Sequence, residues 1–317
     1  MKNLNNLNNS DIESKIKQLK REMNAVILAH YYQNEDIQDI ADFVGDSLDL
    51  SRKAAATDAD YIIFCGVRFM AEVAKILNPS KKVLIPDLKA GCSLEDSCPP
   101  AAFKKFKEQH PDHLVLTYIN CSAEVKALSD IIVTSSNAKK IIEQIPENQK
   151  IIFAPDRHLG RYLSKTCKRD MVLWQGSCIV HEQFSEKELV KLTVNHPKAK
   201  VIAHPECPEN LLNYADHIGS TSSLIKFVTE NQSAEFIVLT EPKIIHQMRL
   251  KNPTATFYEC HFTDQQGCDL CNNCPYMQLN TIEKLYLTMK NKNNEIILDE
   301  KLMQEAKKPL VKMLEMS

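Results

Sequence analysis

The 317-residue sequence contains no apolar run approaching roughly 18 residues, which excludes a transmembrane helix. It also lacks an excess of either charge: 39 Lys and Arg face 41 Asp and Glu, a formal net charge of −2. Such a chain offers neither the basic surface that binds nucleic acid nor the one that binds an anionic membrane. The opening stretch, MKNLNNLNN, has no apolar segment of the kind a signal peptide needs, so a cytoplasmic protein is expected. No disulfide framework is expected either. The 11 cysteines are odd in number, irregularly spaced and set in a long chain, which reads as mostly reduced thiols. What remains is ordinary for a globular protein, 25% charged and 44% hydrophobic, with a length that suggests two or three domains.

Among those thiols, Cys268, Cys271 and Cys274 form a C-x-x-C-x-x-C run followed by Pro275. Cys92 and Cys178 each follow a short glycine-containing loop, Ala90-Gly91 and Gly176-Ser177. Thiolates are soft ligands, and in a reduced chain such a set points to iron–sulfur or zinc. The run is not the C-x-x-x-C-x-x-C of radical enzymes, and a zinc half-site here would lack a nearby second pair. Taken singly, Cys92 and Cys178 read equally well as buried inert thiols. The other six cysteines read as structural.

The chain repeats itself. β-rich runs start at Val26, Leu114 and Val201, a period of about 85–90 residues. A second short strand is expected at Tyr61–Cys65, Ile131–Thr134 and His217–Gly219, and a third at Val83–Ile85, Ile151–Phe153 and Phe236–Leu239. Between them lie helical stripes, such as Ile37, Ile40, Ala41 and Val44, and a capping pattern at Ser185 and Glu188. Strands alternating with helices imply an α/β protein of three units, each with a short parallel sheet covered on both faces. The divisions expected are 1–107 with an N-terminal extension, 108–196, and 197–317 with a C-terminal helical tail. Ligands of such sheets bind outside the carboxyl ends of the strands. Three units facing one another would enclose one site, with a cysteine from each.

Polar pairs recur at those strand ends: His30 with Tyr32, Tyr118 with Asn120, and His204 with Glu206. Residues two apart on extended chain point the same way, which suits acid–base work, although a His–Glu pair also serves as a structural hydrogen bond. Ser47, Ser135-Ser136-Asn137 and Ser220-Thr221-Ser222-Ser223 precede expected helices. Capping explains part of this, and free helix N–H groups also suit anionic substrates.

Read together, His30-Tyr31-Tyr32-Gln33, Gly45-Asp46-Ser47-Leu48, Tyr118-Ile119-Asn120, Thr134-Ser135-Ser136-Asn137, His204-Pro205-Glu206-Cys207, Gly219-Ser220-Thr221-Ser222 and Cys274-Pro275-Tyr276-Met277 resemble the quinolinate synthase family. The likeness runs through nearly the whole chain in order. It implies three pseudo-symmetric αβα domains around a 4Fe–4S cluster held by three cysteines, with one iron left open as a Lewis acid. It implies condensation of iminoaspartate with dihydroxyacetone phosphate to quinolinate, phosphate and water, in NAD biosynthesis. An L-aspartate oxidase or dehydrogenase would supply the iminoaspartate. By resemblance the ligands are Cys92, Cys178 and Cys274, whereas repeat spacing alone favours Cys268, which follows Gly267 as Cys92 follows Gly91. Glu206, His204, His30 and Tyr118 would move protons. Ser47, Ser135, Ser220 and Thr221 would hold carboxylate and phosphate oxygens, and Tyr32 and Asn120 would position substrate. Cys268 and Cys271 would then be an accessory pair with the spacing of a redox switch. Two other readings stay open: an aconitase-type hydro-lyase on another small acid, and a zinc-binding interaction module.

Overall fold

The structure, a computed structural model, describes residues 9–232, 234–263, 269–270 and 272–317. It has three four-stranded sheets, each all parallel and each flanked by helices. The first comprises β1 (Ala25–His30), β2 (Phe43–Gly45), β3 (Tyr61–Cys65) and β4 (Lys82–Leu84) in the order β2-β1-β3-β4. The second repeats the order as β6-β5-β7-β8, with β5 (Leu114–Tyr118), β6 (Ile131–Val133), β7 (Ile151–Ala154) and β8 (Met171–Leu173). The third is β10-β9-β11-β12, with β9 (Lys200–Ala203), β10 (His217–Ile218), β11 (Glu235–Leu239) and β12 (Thr256–Glu259). The central strands are near-continuous apolar runs such as AVILA and IIFA because both sheet faces are covered. A two-stranded antiparallel hairpin, β13 (Phe262–Thr263) and β14 (Asp269–Leu270), follows the third sheet.

The α/β class with three parallel units is as the sequence reads, but the internal correspondence in the first unit is one strand out of step. β3 matches β7 and β11, and the counterpart of β6 and β10 is β2. The helical stripe drawn through Val44 therefore breaks. The helix Glu35–Ile40 ends and Val44 lies in β2. β2 is a three-residue edge strand with Phe43 exposed and Val44 half-buried, too short to leave an alternating pattern. Each unit also has a fourth strand, which the sequence reading supplies only in the first.

One aspartate per unit fixes the register. Asp42 Oδ2 accepts from Ile27 N at 2.8 Å, Asp130 Oδ2 from Val115 N at 2.8 Å, and Asp216 Oδ2 from Val201 N at 2.7 Å. Each aspartate's own N–H donates back to the same residue's carbonyl at 2.9, 3.0 and 2.8 Å. This pins the start of each edge strand to the central strand and makes Ile27, Val115 and Val201 equivalent. Asp130→Ala should leave the Val115 N–H without an acceptor and cost about 1–3 kcal/mol. An unchanged urea midpoint would contradict this.

The chain ends bind the units together. Ile12 and Ile16 of the helix Asn9–Glu22 pack with Ile282, Leu285 and Met289 of the helix Ile282–Asn291 against the first sheet. Ala306, Leu310 and Met313 of the helix Glu300–Met316, capped by Asp299, join the shared core of the first and second units. No helix among the described residues is long and apolar enough to cross a membrane.

Candidate active site

Loops at the carboxyl ends of all three sheets line one central cavity. Cys92, Cys178, Cys274, His30, Tyr32, Ser47, Tyr118, Asn120, Ser135, His204, Glu206 and Thr221 all line it. Ser220 does not. Its hydroxyl caps the helix Thr221–Glu230, accepting from Ser223 N at 3.3 Å, and faces an outer cavity. Cys268 and Cys271 lie outside the described residues.

The aspartate register shows why the pairs converge. His30, Tyr118 and His204 each stand three residues beyond the pinned amide, and Tyr32, Asn120 and Glu206 two further on. In the first and third units the later residue's N–H donates to the histidine Nδ1: Tyr32 N to His30 at 3.2 Å, Glu206 N to His204 at 3.4 Å. Each ring is thus fixed with its proton on Nε2. Burial lowers the His30 pKa to about 4 and that of His204 to about 3, so both are neutral donors near neutral pH. His204 Nε2 lies 3.2 Å from Ser135 Oγ.

Glu206 joins the units. Its Oε1 accepts from Tyr118 Oη at 2.6 Å and its Oε2 lies 3.0 Å from His181 Nδ1. Burial pushes this carboxyl up, but His181, His204 and the Tyr118 hydroxyl outweigh burial and hold it well below the usual range. Buried Asp156, by contrast, is pushed well above its usual range by desolvation and then by the charge of Glu206. From His181 a chain of hydrogen bonds continues: Nε2 to Thr240 Oγ1 at 3.0 Å, and Thr240 Oγ1 to Tyr32 Oη at 2.5 Å. Asn120 Oδ1 is buried without a partner among the described residues.

The thiols meet beside this group, Cys178 lying next to His181 and Glu206. Burial raises Cys92 and Cys178 well above the usual thiol range and Cys274 to about 11. Cys92 is raised further by Cys274, and Cys178 by Cys92 and Cys274, so the three sulfurs share one neighbourhood. Three thiolates so placed repel one another unless a cation joins them, and a coordinated metal ionises its thiols outright. The donor set therefore fits a metal centre. Close backbone approach builds it. A Cβ on Gly176 would lie 2.6 Å from Pro155 O, so only glycine lets that loop press inward ahead of Cys178. Glu241, raised to about 8 by burial, accepts the N–H of Cys274 at 3.3 Å.

His181 is the residue the sequence reading misses. It stands three residues after Cys178 on the short helix Ile179–Glu182, which puts ring and thiol on one face, with Nδ1 3.1 Å from Cys178 Sγ. Cys178, His181 and Glu206 bring ligand atoms within 4.8 Å of one another and form a second possible grip on a metal. The i, i+3 spacing was a usable signal. Thr240 and Glu241 follow directly on β11, so the sequence places them at a strand end without giving them a role.

The chain is similar to known proteins over nearly its whole length. The family described as "Quinolinate synthetase A protein" matches residues 14–315. A protein of Trichodesmium erythraeum named "Quinolinate synthase" is 60% identical over 307 residues, 97% of this chain and 94% of its own. One of Ehrlichia chaffeensis with the same name is 61% identical over 302 residues, covering 95% and 96%. A Synechocystis relative, also so named, is 60% identical over 97% and 96%.

Proposed function

The chain belongs to the quinolinate synthetase A family, and from that premise we propose that it condenses iminoaspartate with dihydroxyacetone phosphate. The products are quinolinate, phosphate and water, on the route to NAD. The observation that carries this reading is the convergence of strand-end pairs from three units on the cavity that three thiols also line. Cys92, Cys178 and Cys274 would hold a 4Fe–4S cluster. When bound, such a cluster supplies an iron without a protein ligand, Lewis-acidic toward a hydroxyl that must leave.

The remaining chemistry falls to side chains. The Nε2–H groups of His30 and His204 donate to substrate oxygens without carrying charge. His204 also orients Ser135, which with Ser47 and Thr221 binds carboxylate or phosphate oxygens. Asn120 Oδ1 accepts from the substrate nitrogen, since an enamine N–H is the donor such an acceptor lacks. Glu206, ionised and buried, takes the proton from the carbon next to the imine and gives the enamine, whose carbon bonds to the phosphate-bearing carbon of the triose as phosphate leaves. Tyr118 and His181 hold both carboxylate oxygens, so the base keeps its aim. The line Tyr32–Thr240–His181–Glu206 is continuous in hydrogen bonds and can pass that proton across the cavity for the later losses of water. Ring closure and dehydration need water excluded, and His30, Tyr118, His204 and Glu206 are all buried.

The test is protein purified without oxygen. It should contain iron and acid-labile sulfide in near-equal amounts and release quinolinate from the two substrates. Zinc in place of iron would favour the Cys178–His181–Glu206 grip. Iron with no quinolinate would favour a hydro-lyase on another acid.

A further inference from the structure

Three cations stand at matched places in the three units. Arg52, Lys140 and Lys226 each lie five residues beyond Ser47, Ser135 and Thr221, which the aspartate register makes equivalent. The chemistry above uses none of them. All three are exposed, yet they line one open cavity beside the reaction cavity. Asp46 borders both spaces.

The charges at this outer cavity are unevenly satisfied. Asp46 accepts from Leu48 N at 3.0 Å, from Asp49 N at 2.9 Å and from Ser136 Oγ. Asp49 accepts from Ser222 Oγ at 3.0 Å. Lys226 lies 3.8 Å from Glu230 in a largely exposed pair, which holds it weakly. Arg52 and Lys140 make no salt bridge among the described residues. Like charges gathered around one space repel and add nothing to folding. Asp46 and Asp49 line the same cavity, and Arg52 offsets part of the burial that raises Asp49, which leaves one cation in excess for a ligand of opposite charge. The bonds Ser136–Asp46 and Ser222–Asp49 each join two units across the wall between the cavities, and single hydrogen bonds of this kind open at small cost.

We propose that this outer cavity is a docking site for small dianions, phosphate monoester or dicarboxylate, which gathers the substrates before they pass Asp46 and Ser136 into the reaction cavity. Its role in catalysis rests on the reaction proposed above; its binding of anions does not. The test is the combined variant Arg52→Gln, Lys140→Gln, Lys226→Gln in the cluster-loaded protein. At about 20 mM salt, KM for the triose phosphate should rise roughly 5–10-fold with kcat unchanged. At about 0.5 M salt, where screening is complete within a few ångströms, the two proteins should coincide. A KM equal to wild type at low salt, or a loss confined to kcat, would overturn the proposal. Should the wild type make no quinolinate, calorimetric titration at low salt with inorganic phosphate and, separately, succinate reads the site directly. Weaker binding of one or both by the variant supports docking and identifies the anion class; equal binding of both by the two proteins refutes it.

Discussion

Cys274→Ser should yield a folded protein that has lost its brown iron–sulfur absorbance and all measurable turnover. The same outcome is expected for Cys92→Ser and Cys178→Ser. The three thiols line one cavity, and each is raised by burial, with their mutual repulsion added. A serine oxygen is a hard, weakly acidic donor and a poor replacement for thiolate on iron. Cys65→Ser is the control. That thiol is fully buried within β3 and is raised well above the usual thiol range by burial, with no other thiol contributing. It should keep the cluster. An intact, active cluster in the Cys274 variant would move the third ligand to Cys268 or Cys271.

Glu206→Gln should lower turnover by roughly 10²–10⁴-fold with cluster content unchanged. Glutamine preserves the size of the side chain and can still accept from Tyr118. It cannot take a proton from carbon, and its amide N–H₂ meets His181 Nδ1 where a carboxylate oxygen stood at 3.0 Å. The charge of Glu206, which adds to burial in raising Asp156, also disappears, but Asp156 stays anchored to Leu159 N at 2.7 Å. Far-ultraviolet circular dichroism and iron content separate a catalytic loss from misfolding. Turnover equal to wild type in a variant with normal iron content would remove Glu206 from the mechanism.

Much of this arrangement is legible in the sequence because the chain says it three times. Strand ends at His30, Tyr118 and His204 share a register, so the residues two beyond them share a destination. What failed is what repetition obscures. β2 has three residues on a sheet edge, so no apolar alternation announces it, and the first unit's correspondence slipped to β3. The pinning aspartates, Asp42, Asp130 and Asp216, stand 15 residues past the amides they bind, a separation no local pattern tests. The hairpin β13–β14 stands before Cys274 and sets that cysteine further along its unit than Cys92 and Cys178 stand in theirs. Thr240 and Asp156 acquire their place only when β11 and β7 are docked beside their neighbours. The helix Glu300–Met316 reads as a generic amphipathic tail, and its partners in the first two units are fixed by packing alone.

The measurement that bears most directly on the whole account follows carbon. Cluster-loaded protein, kept from oxygen, is given iminoaspartate and dihydroxyacetone phosphate carrying ¹³C at every triose carbon, and the product is weighed by mass spectrometry. The account predicts quinolinate that has gained all the triose carbons, with phosphate released in equal amount, and no such product from Glu206→Gln at matched iron content. Unlabelled product, or no quinolinate from protein with a full complement of iron and sulfide, would contradict it.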